Sequence, residues 1–148
     1  IDGGGHESGM RSGTLNVPAI VGLGKACELI SFKNITQELR DYFENSLIQQ
    51  FNNSIIINGK NVARLPNTSN ITFPFKAADF IHHTKSKLAI ATGSACTSAE
   101  NLPSHVLTAM NISKEQAEKS IRFSLGKYTT KKEIEEVFIM INELIIHH

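Results

Sequence analysis

Apolar residues recur at helical spacing in several stretches of the chain and predict amphipathic helices there. Pro18 suits the first turn of the first helix, and Asn34 with Gln37 forms a capping-box pattern that starts the second. Similar capping patterns begin at Ser113 and at Thr130, ahead of later helices. The predicted helices cover residues 17–30, 35–51, 77–83, 103–110 and 134–145.

Short β-branched or alternating runs predict the strands. The predicted strands cover residues 55–57, 70–73, 88–91 and 120–125. In the last of them, Ile121, Phe123 and Leu125 point to one face and the polar residues between them to the other. This order of helices and strands indicates an α/β fold of the α+β type, in which helices cover a small, mainly antiparallel sheet.

The composition is that of one globular domain. The chain has 148 residues, 41% of them hydrophobic and 20% charged, which is enough to bury one core. A formal net charge of +1 gives no reason to expect nucleic acid or an anionic membrane as partner, and no apolar run approaches the length of a membrane span. Cys27 and Cys96 lack CxxC spacing, and no signal peptide opens the sequence. We therefore expect a cytoplasmic protein with free thiols, although the two cysteines could also pair.

The two ends of the sequence are unusual. It begins without Met, and Ile1 and Asp2 run directly into three glycines. A natural domain rarely begins inside a glycine-rich loop, so we expect the sequence to be part of a longer protein. His147 and His148 at the other end fit either native sequence or the remainder of a purification tag.

Cys96 is a candidate nucleophile. It lies in the stretch 93–100, which contains almost only small residues and follows the predicted strand 88–91. Such residues cannot anchor a core, so the pattern predicts a mobile loop with an accessible thiol, as nucleophilic catalysis requires. A small apolar filler in a turn is the alternative interpretation. Cys27, in contrast, lies on the apolar stripe of the first helix and is predicted to pack in the core.

Arg122 is a candidate binding residue. It shares the polar face of the predicted strand 120–125 with Ser120 and Ser124. An arginine on a rigid strand can bind a carboxylate through two parallel hydrogen bonds. The alternative is a solvent-facing arginine on a half-exposed strand.

A glycine-rich loop precedes the first helix at residues 3–14, with the sequence GGGHESGMRSGT. Glycines let the backbone approach a ligand closely, and Arg11, Ser12 and Thr14 add a positive charge and two hydroxyls, which suit a phosphate. The loop has neither the GxGxxG nor the Walker pattern, so a flexible connector is the alternative.

The six histidines do not form a metal-binding pattern. His82 and His83 are adjacent and point to different sides of a helix, and the other histidines are scattered. Since no thiol or acidic cluster completes a zinc set, no metal site is predicted.

Three segments together resemble the NifS-like cysteine desulfurases of the class-V aminotransferase family, which are fold-type-I pyridoxal-phosphate enzymes. The segments are residues 3–14, residues 92–98 with the sequence TGSACTS, and residues 120–126 with the sequence SIRFSLG. In order, they are similar to the loop that closes the large domain, the active-cysteine loop and the substrate-arginine strand. LPN at residues 65–67, followed by the strand 71–73, also fits. The GSAC form of the cysteine loop resembles the iron–sulfur assembly branch.

The resemblance implies roles for three residues. Cys96 would take sulfur from L-cysteine as a persulfide while L-alanine leaves, Arg122 would bind the substrate carboxylate, and Thr14 would reach the cofactor phosphate in the other subunit of a homodimer. An iron–sulfur scaffold or another sulfur acceptor would be the partner. Ser8 stands where relatives often carry a basic residue, which puts one local salt contact in doubt.

The resemblance also implies the domain organisation. Residues 1–16 would end the large cofactor-binding domain, and residues 17–148 would form the C-terminal small domain. The lysine that attaches pyridoxal phosphate lies upstream of these segments in the family, so we expect this chain alone to be inactive. A stand-alone persulfide carrier or docking module, and an enzyme similar to selenocysteine lyase, are the alternatives.

Overall fold

The computed structural model describes residues 3–30, 35–92 and 104–146. The chain divides into two compact units, Ile1–Lys33 and Asn34–His148. The domain boundary implied after residue 16 concerns the longer enzyme and stays a prediction.

The first unit contains a loop and one helix. The loop includes a 3-10 turn at His6–Gly9, and helix α1 covers Val17–Glu28. The side-chain oxygen of Asn16 caps α1 by accepting a hydrogen bond from the backbone N–H of Ala19 at 3.2 Å, and a proline occupies the first turn as predicted.

The prediction that Cys27 packs in a core is wrong, because Cys27 is exposed. No residue of α1 is buried, and its apolar Val21 and Leu23 are 64% and 66% exposed. The helical spacing was interpreted correctly, but within this unit α1 has only a loop beside it. Apolar periodicity shows that a helix has an apolar face to bury, but it does not show which element packs against that face.

The second unit is built on a four-stranded antiparallel sheet with the strand order β1-β2-β4-β3. The strands are β1 (Ile56–Asn58), β2 (Thr68–Thr72), β3 (Ala91–Thr92) and β4 (Ser120–Ser124). The predicted fold class, with its small antiparallel sheet, is therefore confirmed. The prediction of a strand over 88–91 is wrong in its start, because residues 88–90 do not join the ladder with β4 and instead line a pocket beside it.

The helices of the second unit begin largely where the sequence predicts. They are α2 (Ile35–Phe51), α3 (Ala77–Thr84), α4 (His105–Ala109), α5 (Lys114–Glu118) and α6 (Lys131–Ile146). The capping box ahead of α5 is confirmed: the Ser113 hydroxyl accepts from the Gln116 N–H at 3.2 Å, and the Gln116 side-chain oxygen accepts from the Ser113 N–H at 3.3 Å. Thr130 and Glu133 form the equivalent contacts ahead of α6. Asn34 lies outside the described residues.

One face of the sheet carries the core. Ile57, Ile71 and Ile121 form a row across three strands, and all three are buried. Helices α2, α3 and α6 pack over this face with large apolar side chains. The principal core residues are Phe43, Leu47, Ile57, Ile71, Phe73, Phe80, Ile121, Phe123, Ile134 and Ile141. Because β4 lies between two other strands, its residues are held from both sides.

Charged groups anchor the segment between β1 and β2 to helix α2. Arg64 donates to both carboxylate oxygens of Glu44, at 2.7 and 3.0 Å, and Arg40 donates to the main-chain oxygen of Leu65 at 2.9 Å. The side chains of Glu44 and Arg64 are only 5% and 16% exposed. Burial favours the neutral acid, but the hydrogen bonds from Arg64 and the positive charges of Arg64 and Arg40 outweigh it and hold the pKa of Glu44 below its usual value.

Candidate functional site

Arg122 lies in the middle of β4 on the face of the sheet opposite the core. Its register partners are Asn70 on β2 and Ala91 on β3, whereas its chain neighbours Ile121 and Phe123 point into the core. The Arg122 side chain is exposed, which confirms its predicted place on the polar face. Among residues 3–30, 35–92 and 104–146, no carboxylate lies within ion-pair distance of its guanidinium group. Strand β4 therefore presents a charged group that the carboxylates of the described residues leave unpaired.

A row of buried polar side chains lies beside Arg122 on the same face. Asn58 Nδ2 lies 2.6 Å from Asn70 Oδ1 and 2.9 Å from Thr72 Oγ1. Thr72 Oγ1 lies 2.9 Å from Ser120 Oγ, which donates to the main-chain oxygen of Gln116 at 2.7 Å. Asn58, Thr72 and Ser120 are 8%, 6% and 0% exposed. Buried polar groups that are hydrogen-bonded to one another in this way fix one another's orientation.

Thr14 belongs to the loop of the first unit. Arg11 Nη1 donates to the main-chain oxygens of Gly13 and Thr14, at 3.0 and 3.3 Å, and the Ser12 hydroxyl donates to the main-chain oxygen of Gly4. Gly13 has φ +93, a conformation that favours glycine. In the part of the chain that the structure describes, no hydrogen-bond partner of the Thr14 hydroxyl is present, and Thr14 is exposed just ahead of the N-terminus of α1. The hydroxyl is thus available to an external acceptor.

Cys96 and its predicted loop, residues 93–100, lie outside the described residues. In the sequence, Cys96 follows the last residue of β3, Thr92, by four positions. Strand β3 pairs with β4, and Ala91 stands directly opposite Arg122. The chain therefore runs from the neighbour of the Arg122 strand into the segment that carries Cys96. The roles assigned to Cys96, Arg122 and Thr14 stay predictions.

An apolar pocket of about 330 Å³ lies in the second unit, and Arg122 is not among the residues that line it. Its lining includes Phe43, Leu88, Ile90, Leu125, Ile134 and Val137, together with one acid, Glu133. Hydrogen bonds from the backbone and side chain of Thr130 hold the pKa of Glu133 below its usual value. Since Glu133 acts there as the cap of α6, the pocket offers shape and apolar surface rather than acid–base chemistry.

Within the described ranges, no group of three or more His, Cys, Asp or Glu residues is arranged to hold a metal ion. His83 instead contacts Glu143, with 3.4 Å between Nε2 and a carboxylate oxygen. No helix in those ranges is both long and apolar enough to cross a membrane.

The fold and the motifs now define the class of protein. The family model described as aminotransferase class-V matches residues 4–137, and the chain belongs to this family. Within it, the similarity is to cysteine desulfurases. The chain is 40% identical over 150 positions to cysteine desulfurase IscS of Anaeromyxobacter sp. (strain Fw109-5), covering 98% of this chain and 37% of that protein. It is 42% identical over 139 positions to cysteine desulfurase IscS of Ehrlichia chaffeensis, covering 90% and 34%.

Solved structures agree with these relatives. A NifS-like protein from Rickettsia africae superposes with a TM-score of 0.80 at 35% identity, over 98% of this chain and 39% of that one. SspA, solved in complex with cysteine, superposes with a TM-score of 0.63 at 35% identity, over 88% and 36%. The resemblance to NifS-like cysteine desulfurases is therefore confirmed. The chain spans somewhat more than one third of the length of these proteins.

Sequence reasoning missed the polar row beside Arg122. The pair Asn58-Gly59 is typical of a turn, and Gly59 does turn the chain with φ +71. The side chain of Asn58 is nevertheless buried against β2 and β4. The one available signal was register: with β1, β2 and β4 aligned, Asn58, Asn70 and Arg122 fall in a single row.

Proposed function

We propose that this chain is the C-terminal part of a pyridoxal-phosphate-dependent cysteine desulfurase, which converts L-cysteine to L-alanine and retains the sulfur as a persulfide on Cys96. The observation that carries the proposal is the exposed Arg122 guanidinium on an interior strand. It lies next to β3, from which the chain continues to Cys96. The similarity to cysteine desulfurases along nearly the whole chain supports it.

Arg122 binds the carboxylate of L-cysteine in this proposal. A guanidinium presents parallel N–H donors that match the two oxygens of a carboxylate. Pairing of β4 with β2 and β3 on its two sides holds the Arg122 backbone, so the side chain extends from a rigid strand before substrate arrives. None of the carboxylates in the described residues pairs with Arg122, so none of these competes with the substrate.

Thr14 fits a phosphate oxygen of pyridoxal phosphate. Its hydroxyl is exposed, and the glycine-rich backbone around it lets a phosphate come close. We assign it to the cofactor of the other subunit in a homodimer. Pyridoxal phosphate, when bound, supplies the electron sink for breaking the carbon–sulfur bond, and its attachment lysine would lie outside this chain.

Cys96 performs the sulfur transfer. Its thiolate attacks the sulfur of L-cysteine, a sulfur–sulfur bond forms and the bond from the substrate β-carbon to sulfur breaks. The electron pair of the broken bond stays on carbon, which takes up a proton and leaves as L-alanine. The persulfide on Cys96 then passes to an acceptor in the cytoplasm, either an iron–sulfur scaffold or another sulfur-accepting protein.

The test uses the longer protein that contains this chain. It is incubated with L-cysteine, L-alanine release is measured, and added sulfur is located by peptide mass spectrometry. Cys96→Ala is compared with Cys27→Ala, because Cys27 is an exposed cysteine with no proposed role. We expect a persulfide on the Cys96 peptide, no alanine release in Cys96→Ala and wild-type release in Cys27→Ala.

Two results would contradict the proposal. Alanine release that is unaffected in Cys96→Ala would remove Cys96 as the sulfur acceptor. A protein that releases no alanine but accepts persulfide from another protein would support the carrier interpretation instead.

A further inference from the structure

We infer that Asn70 is a second binding residue for the substrate carboxylate, and that Asn58 is the positioning residue that orients it. The inference rests on the proposed function, since it concerns the same carboxylate that Arg122 binds. It follows from the direction of the hydrogen bonds along the polar row, which leaves the Asn70 side chain only one orientation.

The donor-to-acceptor direction of the hydrogen bonds in the polar row is set where the row ends, at α5. A main-chain carbonyl only accepts, so at the Gln116 oxygen the Ser120 hydroxyl must be the donor, at 2.7 Å. A hydroxyl has one hydrogen, and Ser120 Oγ must therefore accept from the Thr72 hydroxyl at 2.9 Å. Thr72 has then used its own hydrogen, so the Asn58 atom 2.9 Å from Thr72 Oγ1 must be the amide nitrogen.

The same reasoning fixes Asn70. The Asn58 nitrogen that donates to Thr72 also lies 2.6 Å from the Asn70 side chain. A donor nitrogen requires an acceptor there, so the Asn70 atom facing β1 is the carbonyl oxygen Oδ1. The Asn70 amide nitrogen is consequently directed away from β1. Asn58, Thr72 and Ser120 are buried, so water does not compete for these bonds.

Two donors that have no acceptor among the described residues then lie next to each other. Asn70 and Arg122 are direct register partners on adjacent strands, and both side chains project from the same face. In the described part of the chain, no acceptor is within hydrogen-bond distance of Asn70 Nδ2, and no carboxylate pairs with Arg122. An amide N–H cannot accept from a guanidinium, so Asn70 does not serve to hold Arg122. A neutral donor beside a cationic one suits a shared anion, here the substrate carboxylate.

The test is made on the longer, cofactor-loaded protein. Asn70→Ala removes the donor, and the KM for L-cysteine should rise about tenfold or more with little change in kcat, because one hydrogen bond to a charged group is lost. Equilibrium binding of L-alanine, followed by cofactor absorbance, should weaken by a similar factor. Asn67→Ala is the matched control: its amide donates to the main-chain oxygen of Leu125 at 3.0 Å, a purely structural contact. That variant should lower the melting temperature and leave the KM unchanged.

A second substitution separates donation from packing. Asn70→Asp keeps the size of the side chain but places a carboxylate oxygen where the amide nitrogen was. That oxygen accepts from Arg122 and competes with substrate, so the KM should rise further than in Asn70→Ala at an unchanged melting temperature.

The outcomes distinguish the inference from the proposed function. If Arg122→Lys raises the KM while both Asn70 variants bind L-cysteine and L-alanine as the wild type does, the role of Asn70 is refuted and the desulfurase proposal stands. If the wild-type protein releases no alanine from L-cysteine, the proposed function fails, and the role of Asn70 falls with it.

Discussion

The buried ion pair between Glu44 and Arg64 allows a quantitative test of how α2 holds the β1–β2 connection. Replacing Glu44 with Gln removes the negative charge and leaves the Arg64 guanidinium, 16% exposed, without its counter-ion. Breaking a buried pair costs about 3–5 kcal/mol, whereas a hydrogen bond to a charged group contributes about 1.5–3 kcal/mol. Because Gln keeps one acceptor oxygen and Arg64 keeps some contact with water, we expect Glu44→Gln to lower the free energy of unfolding by about 2–3 kcal/mol.

Replacing Arg64 with Leu should lower the free energy of unfolding by more than Glu44→Gln does. It leaves Glu44, 5% exposed, with the Ser69 side chain and the charge of Arg40 to oppose the effect of its burial. The pKa of Glu44 should then rise relative to the wild type. The double variant Glu44→Gln/Arg64→Leu should lose less stability than the sum of the two single losses, by roughly 2 kcal/mol, because it leaves neither member of the pair as an unpaired buried charge.

The contribution of Glu44 to stability changes with pH in a defined direction. In the wild type the folded-state pKa of Glu44 is lowered from 4.5, so its contribution is complete above that pH and is lost as the pH falls through the folded-state value. Urea denaturation of the 148-residue chain at pH 7 and at lower pH measures this. The wild type should lose stability on acidification, Glu44→Gln should lose less, and Arg64→Leu should lose less as well. Equal free energies of unfolding for wild type and Glu44→Gln at pH 7 would refute the assigned role of the pair.

Two further results are expected of the 148-residue chain. Leu47→Ala, at a position 0% exposed, should lower the free energy of unfolding by about 2–5 kcal/mol in urea denaturation. Leu23→Ala, at a position 66% exposed on α1, should change the free energy of unfolding by less than about 0.5 kcal/mol. A small effect of Leu47→Ala would contradict the described core. The purified chain mixed with pyridoxal phosphate should be colourless after desalting, because the attachment lysine is expected upstream, and a retained yellow species would contradict this.

Strand β4 shows how much local pattern can predict. The alternation around Arg122 placed Ile121 and Phe123 in the core and Arg122 on the other face, as the structure has it. In a strand the backbone itself directs successive side chains to opposite faces, so a short sequence is enough to predict which residues share a face. The capping boxes at Ser113 and Thr130 were predictable for the same reason, since each depends on contacts three residues apart.

Features that depend on distant partners were not predictable. The environment of Cys27 depends on what covers α1, and no local spacing encodes that. Residues 88–90 are apolar enough for a strand, but they do not pair with β4. Whether such residues join a sheet depends on how far the neighbouring strand runs beside them, which local sequence does not encode. The orientation of Asn70 requires three aligned strands and the carbonyl of Gln116, which lies 46 positions away in the sequence.

Strand β4 also restricts how the length of this protein can change during evolution. Its residues alternate between the core, through Phe123, and the opposite face, through Arg122. Inserting or deleting a single residue within β4 would exchange the two faces over the rest of the strand, moving Phe123 into water and Arg122 into an apolar interior. Hydrophobic packing and the proposed ligand contact would be lost together. Tolerated insertions should therefore be confined to surface turns such as residues 126–130, which connect β4 to α6.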